Sequence, residues 1–434
     1  MTTPDDISRS GYWKTSALLL SLGILIGLAL LQSPGTGDRA QWLVYMDTAR
    51  HNGVLATYSI AAINGVGIGH TDYPPLALAM LGIFAELARA LGMSDFIGLK
   101  LSLLLFLLVC AGIMASWRGW RYGIATYLLL AIDALLLTYL DVYFLFTFLL
   151  GLWCLEQKKL ATGTALFTVS FLTKWQPIIL APLILLYVMP KPLRMTTLVR
   201  LMVPAAIVFC AVYLIFGNAL ITAFLGGTAN PTFSGKALNL DWLITALSEV
   251  GDQLAQRGGA VRSINTSELP DGIYRNLAVA SSVLRYIGYL VAVGDFYLSD
   301  RSITNFIKAS VLCFMAYFVF GGGVHENHAC LIAVLGLCWM AVDRSRYLEA
   351  IILAAMFNIN IVVFYGFSGS GLQFPYVLGG WDITIFLAIF NVIVFAVLWL
   401  PAARQVFGQL RALVPQASAP AGTRPAPAPR DGND

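Results

Sequence analysis

The sequence predicts an all-α protein, a polytopic bundle of about twelve membrane-spanning helices. Three observations carry that expectation. Of 434 residues, 58% are hydrophobic and only 12% are charged, about half the charge of an ordinary soluble domain. The mean hydropathy is +0.76. Apolar runs long enough to cross roughly 30 Å of hydrocarbon recur from residues 16–31 to residues 385–400.

The first apolar run follows Arg9 and Lys14 and leads into "QSPGTGDRAQ", which lacks a small-residue cleavage site. It reads as a retained signal anchor. Residues 32–97 then form a first external loop, in which "YPPLALAMLGIFAELARAL" decides the topology. If that stretch spanned, "SWRGWRYG" with Arg118 and Arg121 would land outside. If it lies in the interface with Glu86 and Arg89 toward water, every short basic segment falls inside: "WRGWR", "EQKK", "PKPLRMTTLVR", "LSDRSITNFIK", "DRSR" and "PAARQ". The second arrangement satisfies the charge rule throughout and is the one expected. Pro fits a first helical turn and holds the preceding residue extended. Pro74 and Pro75 therefore pin Asp72 and Tyr73 just above the membrane.

A long external segment, residues 217–275, is polar and Gly-rich with an amphipathic centre over residues 242–256. A loop of this length suits a lid or an acceptor-binding element. Residues 1–415 make the membrane domain, and residues 416–434 a Pro/Ala-rich, disordered cytoplasmic tail. Both termini are expected inside, in a multi-pass inner or plasma membrane protein. The formal charge of +4 reports orientation and gives no argument for nucleic acid. The six cysteines lie in or beside apolar runs, so no external disulfide framework is implied.

That topology gathers the polar residues on one face. All four histidines, His51, His70, His325 and His328, fall outside, with Asp47, Asp72, Asp141, Lys174 and Gln176. Such asymmetry favours an external site. Each residue also has a plainer reading. Asp47 in "YMDTARHNG" is either an acid aimed toward a cavity or a solvated partner of Arg50. Asp72 is either chemical or a cap for the Pro-initiated helix. Asp141, between two runs, is by position a solvated loop acid. Lys174 in "LTKWQP" either snorkels to water or holds a phosphate. "HENH" puts His325 and His328 on one helical face and Glu326 on another; it is not HExxH, and a divalent metal stays open. Arg285 is the one charge with a partner that could fall mid-span.

Four stretches in register, with a fainter fifth, resemble the dolichyl-phosphate-glucose glucosyltransferases of the GT-C superfamily. "DYPPL" follows an external loop with an isolated Asp near an Arg-His pair. "MDTARH" is similar to the family's "GD-x-E-A-Q-R-H", with Met46 and Thr48 replacing the Gly and Glu. "TKWQPIILAP" resembles its "K-x-Q-x…P" corner, and "VHENH" its "V-H-E-K" corner, with Asn327 for Lys. "FSGKALNLDWLI" echoes its loop ahead of the later spans. The matches run from about Asp47 to His328, in a bacterial-type relative. The resemblance implies a GT-C bundle with interfacial helices in the first external loop. It also implies a polyprenyl-phosphate-sugar donor and a lipid-linked or envelope glycan acceptor. The sugar would be transferred with inversion outside the membrane, without an organic cofactor. By that analogy Asp47 is the base and Asp72 orients the acceptor. Lys174, Gln176 and His325 hold the phosphate. Arg50, His51, Tyr73, Asp141, Glu326 and His328 support these groups or the acceptor.

Two other classes fit the composition. A twelve-span transporter or flippase would relay protons through buried Asp and His at the midplane, and its two related halves are not visible here. A non-catalytic lipid-binding subunit would need no clustered acids.

Overall fold

A computed structural model of the chain describes residues 21–60, 62–63, 66–67, 71–189, 194–228, 231–249, 259–369, 377–378 and 381–413. The start of the first apolar run, His70, residues 250–258 and the 416–434 tail lie outside the described residues. The fold is all-α, and among the described residues the strands form three short two-stranded pairs.

The first apolar helix is α1 (Ser21–Leu30). After it come α2 (Asp38–Asn52) and α3 (Pro75–Ala90), the helices of the expected external loop. Pro74 is extended, at φ −64° and ψ 149°, and Pro75 opens α3 as predicted for a ring that has no N–H to lose. Ser94 caps α4 (Asp95–Arg118), accepting from the Ile97 amide at 3.4 Å. α5 (Trp120–Ala131) returns beside α4 and ends in a π-helical turn, Ile132–Leu136. The two helices touch through Gly123, where a Cβ would stand 2.7 Å from the Ala111 carbonyl.

The chain continues through α6 (Val142–Glu156), α7 (Leu160–Thr173), α8 (Ala181–Val188), α9 (Met195–Phe216) and α10 (Asn218–Thr228). The long segment is more structured than a loop. A strand at Thr232–Ser234 pairs antiparallel with Ile264–Asn265, and between them lies α11 (Leu240–Ser248), capped by Asn239. The remaining helices are α12 (Ile273–Leu298), α13 (Ile303–Phe320), α14 (Cys330–Val342), α15 (Tyr347–Tyr365) and α16 (Ile383–Leu413).

Among the described residues six helices, α4, α9, α12, α13, α15 and α16, are long and apolar enough to cross a membrane. Five shorter apolar stretches accompany them: Ser21–Leu30, Val142–Glu156, Leu160–Thr173, Gln176–Val188 and Glu326–Val342. The expected twelve crossings therefore do not follow from helix length alone. The core sits on α4, α6, α13 and α14, where Leu103, Tyr143, Phe148, Phe314 and Leu335 are fully buried. Of the apolar window of α13, 72% is buried, against 11% for α9. α13 is thus a central helix, and α9 keeps an apolar face outward. All six cysteines are free thiols.

α3 does not pass through the bundle. It begins where α7 ends, because the Trp175 indole donates to the Asp72 carbonyl at 2.6 Å. The next helix, α4, is tied near its start to the same end, since the Lys100 ammonium donates to the Leu135 carbonyl just ahead of the Tyr139–Asp141 corner. Both ends of α3 therefore lie at one end of the bundle. The Arg118–Glu156 ion pair joins α4 and α6 at the other.

Candidate active site

A cavity of about 850 Å³ opens where α2 and α3 begin and α7, α13 and α15 end. α2 contributes Asp38 and Trp42, four residues apart and so on one helical face. The stretch just before α3 contributes Asp72 and Tyr73. It is held from two sides, by Trp175 on the Asp72 carbonyl and by the Tyr58 hydroxyl donating to the Tyr73 carbonyl at 3.0 Å. Trp42 meets Tyr73 edge-on, with ring centroids 4.7 Å apart.

Asp38 is open to the cavity interior, yet protein surrounds it on most sides. Enclosure, and then the charge of Glu326, raise its carboxyl from the ordinary 3.8 to about 6, while His325, Lys174 and Lys236 pull it down. Enclosure also raises Asp72, against its own backbone hydrogen bond and the charge of His325. An acid held near neutrality in a cleft suits proton transfer.

Lys174 does not snorkel, and Asp141 is not solvated. Lys174 is 6% exposed and Asp141 is 1% exposed. Lys174 Nζ lies 2.5 Å from Asp141 Oδ1, and Asn327 Nδ2 donates to Asp141 Oδ2 at 3.0 Å. The Tyr139 hydroxyl donates to Glu326 Oε1 at 2.5 Å. These bonds knit the corner before α6 to the short 3₁₀ turn Glu326–Ala329. They also neutralise Lys174, leaving it little charge for a ligand. His325 and His328 meet edge-to-face with ring centroids 5.6 Å apart, and the Tyr317 hydroxyl is 3.0 Å from His328 Nδ1.

Two further cations line the cavity. Lys236, with left-handed backbone (φ +60°), lies 4.7 Å over the Tyr365 ring. Its neighbour Gly235 is pressed against the His325 corner: a Cβ there would stand 2.7 Å from the Val324 carbonyl and 3.0 Å from His325 Nδ1. Arg285 arrives from the middle of α12. Among the described residues neither Lys236 nor Arg285 forms an ion pair, so both present charge to the cavity. No group of three or more His, Cys, Asp or Glu among the described residues is placed to hold a metal.

Seven of the expected site residues thus share one cavity: Asp72, Tyr73, Lys174, Gln176, His325, Glu326 and His328. Asp141 stands behind them. Asp47, Arg50 and His51 are elsewhere, which corrects the expected position of the first acid. Nine residues beyond Asp38 at 100° per residue, Asp47 falls on the opposite face of α2. Its side chain is 60% exposed and pairs with Arg50 at 2.7 Å and His51 at 3.2 Å. Arg50 also reaches Asp95 at 2.5 Å, tying α2 to α4. Sequence reasoning missed Asp38, Trp42, Lys236 and Arg285 as site residues.

A second, mainly apolar cavity of about 600 Å³ shares Thr232, Tyr286 and Gly322 with the first. Phe233, Leu269, Val279 and Val283 wall it, and the two valines are exposed along α12. At its floor lies Asp241, raised to about 6 by burial despite Ser281 and Arg285. No protein-family model and no curated protein sequence matches the chain.

Proposed function

We propose that the chain is an inverting glycosyltransferase that takes a sugar from a polyprenyl-phosphate donor and passes it to a lipid-linked or envelope glycan acceptor. One observation carries this reading: a carboxyl raised to about 6, Asp38, shares an 850 Å³ cavity with the unpaired cations Lys236 and Arg285 and with His325. Asp38 takes the place that the sequence assigned to Asp47. It accepts the proton of the acceptor hydroxyl as that oxygen bonds to the anomeric carbon. The bond from that carbon to the phosphate oxygen breaks, and the phosphate leaves with the electron pair. Lys236, Arg285 and His325 stabilise the charge that develops there, so no strong acid is needed. Asp72 orients the acceptor. Lys174, Asp141 and Asn327 brace the wall.

The apolar second cavity supports a lipid-borne donor, since it shares the Tyr286 wall with the first and is lined by Val279 and Val283, exposed along α12. The same geometry supports a membrane placement. α6 runs from Asp141, which precedes it at the cavity end, to Glu156 about 22 Å away, and Arg118, Arg121, Lys158 and Lys159 collect near the latter. With that basic end inside, the cavity faces outward, α3 lies in the interface, both termini are cytoplasmic, and the helices supply about twelve crossings. The test is transfer by purified protein in liposomes. The donors are synthetic polyprenyl-phosphate glucose and mannose, and the acceptor source is a total lipid and glycolipid extract of the producing cell. Labelled product from either donor is expected; none from any donor-acceptor pair sinks the reading.

A further inference from the structure

At the basic end of the bundle, two cations stand where glycine would fit more easily. Lys158 closes α6 through a pair of bonds: its own amide donates to the Leu155 carbonyl at 3.0 Å, and the Lys159 amide donates to the Cys154 carbonyl at 2.8 Å. Glycine usually fills the left-handed position of this helix ending, and Lys158 holds it at φ +60°. Arg301, in the turn between α12 and α13, is left-handed too, at φ +55°. A residue with a Cβ adopts this backbone at a cost that glycine avoids. Both side chains reach the last turn of α8. The Lys158 ammonium donates to the Tyr187 hydroxyl at 3.3 Å, and Arg301 Nη1 donates to the Leu186 carbonyl at 3.1 Å. The acids around them are committed elsewhere. Glu156 pairs with Arg118 and Asp295 with Lys308, while Asp300 accepts from the Ser302 amide and the Asn305 side chain. Among the described residues, neither Lys158 nor Arg301 forms an ion pair.

The contacts with α8 leave donors over on both cations. Two hydrogens of the Lys158 ammonium and the Nη2 group of Arg301 have no partner among the described residues, and Lys158 and Nη2 are open to the surroundings. Two positive charges held at one helix end without an acid suit a phosphate, whose oxygens accept from both. The surface beside them is apolar. Leu185 of α8 is 37% exposed, and Tyr297 and Leu298 at the end of α12 are 56% and 42% exposed, with Arg301 lying 5.4 Å over the Tyr297 ring. A free phosphate has nothing to set against these side chains, and a water-soluble acidic partner leaves them uncovered. A phospholipid supplies both parts: its phosphate meets the cations, its acyl chains cover Leu185 and Leu298, and Tyr297 sits at headgroup depth. The structure assigns Lys158 and Arg301 to a headgroup site for an anionic phospholipid at the end of α8. This site rests on the membrane placement above and not on the transfer reaction.

The experiment titrates purified protein in detergent with phosphatidylglycerol and with phosphatidylcholine of the same acyl chains, reading bound lipid by native mass spectrometry and melting temperature in parallel. The proteins are wild type, Lys158→Gly, Arg301→Asn and, as a control for general surface charge, Arg121→Gln, which alters an exposed cation at the same end. Glycine and asparagine both accept a left-handed backbone. Wild type should bind phosphatidylglycerol more tightly than phosphatidylcholine and melt higher in its presence. Lys158→Gly and Arg301→Asn should each bind phosphatidylglycerol about fivefold more weakly and lose most of that rise in melting temperature. Arg121→Gln should match wild type, and phosphatidylcholine binding should stay the same throughout. If Arg301→Asn fails to insert, Lys158→Gly decides alone. Equal affinity of wild type for the two lipids overturns the inference. A pure helix-capping role would lower the melting temperature equally in both lipids and leave phosphatidylglycerol affinity unmoved, which overturns it as well. Equal weakening in Arg121→Gln would show a diffuse charge effect, and displacement of the lipid by inorganic phosphate a site for the free anion; either result overturns the lipid assignment. All of these outcomes leave the transferase reading where it stands.

Discussion

Asp38→Asn should move catalysis and stability in opposite directions. The folded protein holds this carboxyl at about 6 instead of 3.8, which at 1.36 kcal/mol per pH unit caps the cost of ionising it at about 3 kcal/mol. Because Asp38 faces the water of the cavity, screening brings that down to about 1 kcal/mol. Asn carries no such cost. The sign follows from the raised value: stability held by the protonated acid is complete below the unfolded value and is lost as pH rises through 6. The variant should therefore melt higher than wild type at neutral pH, and the advantage should fade as pH drops through 6 toward 4. Turnover should fall by roughly a hundredfold to ten-thousandfold, the worth of a positioned general base, with donor affinity nearly unchanged. Wild-type kcat/KM should rise with pH through about 6, on a limb that the variant lacks. Transfer from synthetic polyprenyl-phosphate hexose, calorimetric donor binding and thermal unfolding in detergent read the three quantities. Near-wild-type turnover in Asp38→Asn would refute the reasoning, as would a larger loss in Asp47→Asn.

Asp47→Asn itself should keep turnover within about twofold, because its carboxylate is exposed on the far face of α2; the same transfer assay checks it. Lys174→Met strands Asp141 without its cation and should cost about 3 to 5 kcal/mol; adding Asp141→Asn should recover part of that loss, as a double-mutant cycle in thermal unfolding would register. Lys236→Met and Arg285→Met should each weaken donor binding by roughly tenfold to a hundredfold with little change in melting temperature. An unmoved donor Kd in both would remove them from the phosphate site.

Much of this architecture was legible because hydrophobic patterning and proline act locally. The all-α class and the helix opening at Pro75 behind an extended Pro74 follow from residues near one another in the chain, and the structure has both. The convergence of Lys174 and Gln176 with the His325 corner was readable because both stretches sit at ends of apolar runs on one face of the predicted topology. What the chain hides is helical phase. Asp38 and Asp47 lie on one helix, and a half-turn difference in facing decides which of them the cavity receives. Lys236 reaches the site only because the strand pair Thr232–Ser234 and Ile264–Asn265 folds the long segment back onto the His325 corner, a long-range event without a local signature. Arg285 looks from sequence like a charge stranded within an apolar run. Its purpose emerges only from the cavity beside α12. The burial of Asp141 was equally invisible, since an acid between two spans is ordinarily wet.

The central claim, that Asp38, the cations Lys236 and Arg285, and His325 serve one sugar-phosphate transfer, is tested most directly by an experimental structure with a polyprenyl phosphonate sugar analogue bound. The account predicts the phosphonate within hydrogen-bond reach of Lys236, Arg285 or His325, the lipid chain leaving past Tyr286 along α12, and the free face of the anomeric carbon turned toward Asp38. A phosphonate seated against Asp38, or an analogue bound outside this cavity, would contradict it.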